Sequence, residues 1–229
     1  MENYQSQINQ RRILLLILLV LTPLVLFFAI STGSVSIPFS DVWKSLLSDQ
    51  HSINQTLVME LRLPRALSAL VTGGMLALAG VLMQVLLRNP LADPYILGVS
   101  GGAATATLTA MLLGLSSVWI TGSAIIGALI SILLVFGLAH GQGSWTSTRL
   151  LLTGVVIATG WGAIISFILS TAPERSLHGM LFWLMGDLSH SDAPHIGFII
   201  LLLGLLASMT MARHLNVMTR GELQAGALG

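Results

Sequence analysis

The segment from Gly98 to Gly102 reads Gly-Val-Ser-Gly-Gly and matches the GxSxG pattern in which a serine acts as a nucleophile. That chemistry needs a strand-to-helix elbow beneath the serine and a histidine that removes its proton. Ser100 instead begins an apolar run, and the six histidines fall at the ends of apolar runs or between them. Gly98 and Gly102 are therefore better explained as a GxxxG pair that lets two helices pack closely.

The sequence also gives little support for a metal site or for a phosphate-binding loop. Asp187, His190, Asp192 and His195 cluster in the sequence, but their spacing matches no helical face, so we predict no metal site. The single lysine, Lys44, follows a tryptophan, so the chain has no GxxxxGKS/T phosphate loop and any ATP would bind to another chain. The sequence has no cysteine, which excludes disulfides and thiolate ligands. The chain is predicted to be no enzyme and to carry no cofactor.

The composition indicates which elements carry these residues. Only 8% of the 229 residues are charged and 54% are hydrophobic, whereas an average soluble domain has about 25% charged residues. This balance excludes a soluble enzyme, a disordered chain and a nucleic-acid-binding domain. Long uncharged runs reach the roughly 20 residues that span a bilayer. We predict an all-α integral membrane bundle with six transmembrane helices, at about 13–31, 65–87, 95–113, 118–139, 150–170 and 194–212.

Charge between the predicted spans sets the expected orientation. The first apolar run follows Arg11 and Arg12 and could be a secretory signal, but its length favours a retained helix. With a cytoplasmic N-terminus, six of the ten basic residues lie inside and four lie outside, as the positive-inside rule favours. Residues 1–12 and 213–229 are therefore both predicted to be cytoplasmic.

Turns and short helices can be predicted between the spans. Asp93 followed by Pro94 is typical of an N-cap and a first helical position. Pro64 is expected to begin the second span, with Arg62 and Arg65 at its outer mouth, where they could anchor the helix or receive a partner's carboxylates. Apolar residues at helical spacing predict an amphipathic surface helix over 175–188.

Small residues recur every fourth position on several predicted spans. The fifth span has the longest such stripe, which either packs against another helix or lines a solute path: Gly154, Ala158, Gly162, Ser166 and Ser170. Packing explains most stripes of this kind, including Ser123, Gly127 and Ser131 on the fourth span and Ala69, Gly73 and Ala77 on the second.

Several motifs then occur in a characteristic order: Arg62-Leu63-Pro64-Arg65, Gly80 to Gln84, Asn89 to Pro94, Leu97 to Ala103, Thr148 to Val155, Phe182 to Gly186, and Arg220 to Leu223 with Ala225 and Gly229. Together they resemble the permease subunits of bacterial type II ABC importers, the FecCD-type proteins that import iron chelates, haem and cobalamin. The resemblance runs from about Ser36 to the last residue.

The resemblance implies a multi-pass permease of the bacterial inner membrane. It would pair with a second permease, two cytoplasmic ATPase subunits and a periplasmic substrate-binding protein, and would work by alternating access. Arg62 and Arg65 would receive acidic residues of the binding protein, and Ser147 and Thr148 would form a cytoplasmic gate. The stripe on the fifth span would line the path. The ATPase would be coupled through the segment that contains Arg220, Gly221, Glu222, Ala225 and Gly229.

The FecCD-type proteins have about ten spans, so this chain is expected to be truncated within the coupling motif and to support no uptake alone. Siderophore-bound iron is the first expected substrate, and haem and cobalamin are the next. An ion-coupled secondary transporter is the alternative, although the spans lack ionisable residues and Gln84 is their notable polar side chain. An intramembrane hydrolase built on Ser100 is weaker still.

Overall fold

The computed structural model describes residues 2–47, 52–140, 146–188 and 193–218. In these ranges the regular structure is helical and no β-strand occurs, which confirms the predicted fold class. The α-helices are α1 (Glu2–Ser31), α2 (Phe39–Leu47), α3 (Ile53–Thr56), α4 (Leu63–Leu87), α5 (Val99–Leu112), α6 (Ser117–Ala139), α7 (Ser147–Thr171), α8 (Glu174–Met185) and α9 (Pro194–Met218).

Five helical segments in the described residues are long and apolar enough to cross a membrane: Ile8–Ser31, Ile53–Leu87, Ser117–Ala139, Ser147–Thr171 and Pro194–Val217. The third predicted span differs, because 95–113 is not one regular helix. Pro94–Leu97 forms a 3-10 turn, Gly98 adopts a left-handed conformation at φ 64°, and α5 then has only 14 residues. At 1.5 Å per residue α5 is about 21 Å long, shorter than a hydrocarbon core of about 30 Å.

The second predicted span begins earlier than the sequence suggests. The helical segment starts at Ile53, and a π-helical turn at Leu57–Arg62 joins α3 to α4. Pro64 therefore lies inside the continuous segment instead of opening it. A proline ring clashes with the carbonyl four residues before it, and the wider π turn just upstream relieves that clash. Here the Leu63 amide bonds to the Val58 carbonyl, five residues back.

One compact unit comprises residues 1–73 and 188–201, of which the described part holds α1, α2, α3, the π turn and the first turns of α4 and α9. A buried cluster joins the end of α1 to α2 and the π turn: Ile30, Ile37, Val42, Val58 and Ala66. The sequence analysis did not predict α2. Its signal was the apolar spacing of Phe39, Val42, Trp43 and Leu46.

The second unit comprises residues 74–187 and 202–229, and its described part is organised around α5, α6 and α7. One cluster joins the end of α4 to the 3-10 turn and to α6 and α7: Met83, Leu87, Ala92, Leu97, Val135, Ala139 and Leu150. A second cluster, Leu108, Ile168 and Met180, holds α8 against α5 and α7. Helix α7 contributes to both clusters, through Leu150 and Ile168. Helix α5 packs against α6, α7 and α8 and therefore forms the core of this unit.

Local helix signals in this unit match the structure. Asp93 is the N-cap of the 3-10 turn, and its carboxylate accepts a 2.7 Å hydrogen bond from the Tyr95 amide, which confirms the prediction for Asp93 and Pro94. The helix predicted over 175–188 is present as α8 and ends at Gly186, whose φ is 84°. Gly114, at φ 68°, ends the turn between α5 and α6.

Candidate functional site

The closest helix contact in the second unit lies between Gly102 of α5 and Gly127 of α6. A Cβ atom added at either position would overlap backbone atoms of the other helix. Gly98 is less tightly confined, because an added Cβ would lie 3.2 Å from the Ser131 hydroxyl and 3.3 Å from the Ala158 amide. These contacts confirm that Gly98 and Gly102 are packing glycines.

Ser131 links three elements of this core. Its hydroxyl donates a 3.0 Å hydrogen bond to the Leu97 carbonyl at the end of the 3-10 turn, and it accepts a 3.0 Å hydrogen bond from Trp161 Nε1 of α7. The Ser131 side chain is fully buried. Backbone carbonyls at a helix break lose their regular partners, so this hydroxyl compensates the break that Gly98 creates.

The sequence analysis did not identify Trp161 or the Leu97 carbonyl as partners of Ser131. An indole N–H that is placed within an apolar span needs an acceptor, and that requirement was the available signal. The sequence could not show which acceptor lies nearby, because Ser131 and Trp161 are thirty residues apart and meet only through packing.

The small-residue stripe of α7 divides into two halves. Gly154 is buried against the Ile96 carbonyl, where an added Cβ would overlap it, and Ala158 is half-buried against Gly98. Gly162 and Ser166 are exposed, and nothing lies within 4 Å of a Cβ added at Gly162. The first half therefore packs on the 3-10 turn, while the second half presents an open surface.

Ser147 and Thr148 occupy the first turn of α7. Thr146 is the N-cap of this helix, and its hydroxyl accepts a 3.3 Å hydrogen bond from the Arg149 amide. Ser147 is half-buried and donates a long, 3.4 Å hydrogen bond to the Leu86 carbonyl near the end of α4. Thr148 is exposed. The start of α7 therefore contacts the end of α4 through this long hydrogen bond and through the buried cluster that contains Leu87 and Leu150.

Arg62 and Arg65 have different environments. Arg62 donates hydrogen bonds to the carbonyls of Ile30 at 2.8 Å and Ser31 at 3.2 Å, and a further one to the carbonyl of Val35. Its guanidinium thus satisfies carbonyls at the C-terminus of α1, where a cation is also favoured by the helix dipole. Arg65 is exposed. Arg62 therefore has a structural role in the first unit that the sequence analysis did not predict.

The remaining candidate residues are those proposed for nucleophilic catalysis, metal binding and ATPase coupling. Ser100 is exposed in the first turn of α5, on a helix and not on a strand-to-helix elbow. The described residues contain no group of three or more metal-ligand side chains, and His190 and Asp192 lie outside these residues. The ATPase-coupling residues Arg220, Gly221, Glu222, Ala225 and Gly229 also lie outside the described residues.

Known proteins are similar to this chain in sequence, and a solved structure is similar to it in fold. Vitamin B12 import system permease protein BtuC of Yersinia enterocolitica is 37% identical over 199 residues, which cover 85% of this chain and 59% of that protein. BtuC of Serratia proteamaculans is 35% identical over 229 residues, which cover 98% and 65%. A structure described as an inward-facing conformation of a metal-chelate type ABC transporter matches with a TM-score of 0.79 at 28% identity, over 94% of this chain and 67% of that chain.

The chain spans less than two thirds of the length of these two BtuC proteins. The sequence model of the FecCD transport family matches residues 16–229, which is nearly the whole chain. This match agrees with the order of motifs in the sequence and with the helical core around α5. The chain therefore belongs to the FecCD transport family.

Proposed function

We propose that this chain forms part of a permease subunit of an ATP-driven importer in the bacterial inner membrane. The observation that carries the proposal is the family match over residues 16–229, together with relatives that are named as import permeases. In this proposal the permease pairs with a second copy or a related permease, with two ATPase subunits and with a periplasmic substrate-binding protein. ATP is hydrolysed in the separate ATPase chains, and both 1–12 and 213–229 are cytoplasmic.

Cobalamin is the substrate that we propose first. The curated relatives are named as vitamin B12 permeases, and the structural neighbour is described as a metal-chelate type transporter. All these names fit a bulky metal chelate, and the B12 names favour a corrinoid over the siderophore-bound iron that the sequence suggests by default. Siderophore-bound iron and haem are therefore the competing outcomes of the uptake test.

The open half of the α7 stripe is our proposed path surface. Gly162 and Ser166 are exposed, and the Ser166 hydroxyl donates a 2.9 Å hydrogen bond to the Gly162 carbonyl of its own helix. The surface therefore offers few groups that would hold a solute tightly, as passage requires. Ser147 and Thr148 are proposed as a gate, because the long hydrogen bond from Ser147 to the Leu86 carbonyl can break at low cost and the neighbouring Thr148 is exposed.

The proposed docking and coupling sites lie at the two ends of the spans. Arg65, which is exposed, would meet a carboxylate of the binding protein directly, and Arg62 would support it from its bonds to the end of α1. The segment with Arg220, Gly221, Glu222, Ala225 and Gly229 would contact the ATPase. Binding of ATP would then favour one of two conformations, and the coupling segment would transmit the change to the spans.

Uptake in cells tests this proposal. The permease subunit of which this chain forms part is produced with its cognate ATPase and binding protein, and accumulation of radiolabelled cobalamin and of a radiolabelled ferric siderophore is measured. We expect uptake that is lost when the ATP-binding lysine of the ATPase is replaced and that persists when an ionophore collapses the proton gradient. The reverse pattern would support an ion-coupled transporter and overturn the proposal.

A matched pair of variants tests the path. Ser166→Phe places an aromatic ring on the open half of the stripe and should reduce uptake at least tenfold. Ile164→Phe places the same ring at an exposed position on the opposite face of α7 and should leave uptake near the wild-type rate. Equal reductions in uptake by the two variants would show that this surface does not line the path.

A further inference from the structure

Helix α2 has three distinct faces. Val42 and Ser45 are buried against the rest of the first unit. Phe39, Trp43 and Leu47 recur every fourth residue and form an apolar stripe on the next face, with exposed fractions of 56%, 59% and 71%. The third face is polar and contains Asp41 and Lys44, and Ser40 lies at its border with the stripe, seven residues before Leu47. A helix that only packed on its own protein would need no second apolar face.

The apolar stripe of α2 adjoins the apolar surface of α1. The ring of Phe27 stacks on Phe39 with a centroid distance of 5.6 Å and an interplanar angle of 15°. It also meets the Trp43 ring edge-on, with a centroid distance of 6.4 Å and an angle of 68°. Next to Phe27 on α1, Leu24 and Phe28 are both exposed. The stripe thus extends a surface that faces lipid in a membrane protein.

The length of α1 indicates how deep in the membrane the contact between Phe27 and α2 lies. Arg12 precedes the apolar run, and from Ile13 to Ser31 the helix rises about 28 Å, close to the roughly 30 Å of a hydrocarbon core. Phe27 lies one turn before Ser31, which is about 6 Å from that end of the run. The aromatic contacts of α2 therefore fall at the boundary between headgroups and acyl chains.

We propose that α2 is an interfacial helix whose stripe of Phe39, Trp43 and Leu47 inserts into the lipid at the C-terminal end of α1. The adjacent Trp43 and Lys44 have the amphipathic side chains that membrane interfaces favour. The inserted face and the buried face together fix the depth of the connection between the first two spans. The proposal depends on neither the substrate nor the transport partners, so its test stands apart from the uptake experiments.

The size of the stripe favours lipid over a protein partner. An aromatic side chain buries about 150–250 Å² when fully covered, so Phe39 and Trp43, which are little more than half exposed, offer about 300 Å² at most, and Leu47 adds about 100 Å². A stable protein interface buries about 800 Å² on each partner. The stripe is also bounded on one side by the polar face of α2, whereas on the other side it continues into the lipid-facing surface of α1.

Single labels test the orientation of α2 directly, because the sequence has no cysteine and each introduced thiol is unique. Leu47→Cys and the matched control Asp41→Cys are labelled with the environment-sensitive fluorophore NBD, and each protein is reconstituted into phosphatidylcholine vesicles. Leu47 is exposed, and Asp41 is half-buried on a face about 120° away around the helix, so neither position belongs to the buried core. We expect blue-shifted emission at Leu47→Cys, quenched by spin-labelled lipids near the headgroup more than by lipids labelled near the bilayer centre. Asp41→Cys should emit as in water and be quenched by iodide.

Trp43 provides a second measurement without a label. In vesicles that contain lipids brominated near the headgroup, Trp43→Phe should remove a larger quenched fraction of the fluorescence than Trp161→Phe, because Trp161 is half-buried near the middle of α7. A Leu47→Cys label that iodide quenches and lipid does not would place this face in water. A label that neither quencher reaches would place it under a protein surface. Either result, or strongest quenching near the bilayer centre, overturns the proposal.

Discussion

The contact between α5 and α6 allows a sharp test of why glycine is required at one position of α6. A Cβ atom added at Gly127 would overlap the Gly102 carbonyl and lie 2.6 Å from the Cβ of Ala106. Carbon atoms pack best at about 3.5–4.0 Å, so Gly127→Ala must separate the two helices by about 1 Å. On the same helix, a Cβ added at Gly137 meets nothing within 4 Å. Gly137→Ala is therefore the matched control.

The two substitutions should have opposite effects on the free energy of unfolding. Overpacking at Gly127→Ala costs about 1–3 kcal/mol, and the better helix propensity of alanine offsets about 1 kcal/mol of it. Gly137→Ala gains the propensity term without the clash, so it should stabilise the protein by up to about 1 kcal/mol. The expected difference between the variants is about 1–3 kcal/mol, which corresponds to about 2–4 °C of melting temperature for each kcal/mol.

Thermal unfolding of the two variants in the same detergent, followed by size-exclusion chromatography with fluorescence detection, measures this difference. Gly127→Ala should melt several degrees below Gly137→Ala. Equal melting temperatures would mean that α5 and α6 do not approach as closely as described, and the account of α5 as the core of its unit would then be wrong.

Three further predictions concern the polar contacts and the helix break. Ser131→Ala should cost about 1–2 kcal/mol, and a double-mutant cycle with Trp161→Phe should show a coupling of about 0.5–1.5 kcal/mol; additive losses would mean that no hydrogen bond joins them. Gly98→Ala forces a left-handed conformation on an alanine and should destabilise by about 1–3 kcal/mol in the same melting assay, so an unchanged melting temperature would contradict the break. Arg62→Lys should speed hydrogen exchange over residues 32–38, because a lysine ammonium cannot bond to all three carbonyls that Arg62 reaches. Arg65→Lys should leave the exchange rates unchanged and weaken only the binding of the substrate-binding protein. Matching exchange rates in both variants would count against the structural role of Arg62.

Local chemistry explains which elements could be predicted. Asp93 and Pro94 specify a helix start wherever they occur, and Gly186 ends α8 because only glycine enters its conformation cheaply. The GxxxG spacing of Gly98 and Gly102 similarly indicated a packing face. Each of these signals is contained within a few neighbouring residues, so the chain elsewhere does not change its meaning.

Signals that depend on distant residues were misleading or absent. The long uncharged run over 95–113 predicted one span, yet the left-handed Gly98 divides the helix there, and the Ser131 hydroxyl that compensates the break comes from another helix. Pro64 suggested a helix start, but the π turn accommodates it inside a continuous segment. The length of an apolar run carries no information on which distant group satisfies a broken backbone.

Arg62 and the small-residue stripe of α7 also separate what the sequence predicts from what depends on tertiary packing. The sequence determined that the chain is a helical membrane protein and that small residues line one face of the fifth span, because composition and spacing fix how each helix meets lipid or a neighbour. Only the tertiary structure decided that Gly154 packs on the Ile96 carbonyl while Gly162 remains open, and that Arg62 bonds to the end of α1. Those outcomes depend on contacts between segments far apart in the chain, and such contacts form only when the helices pack together.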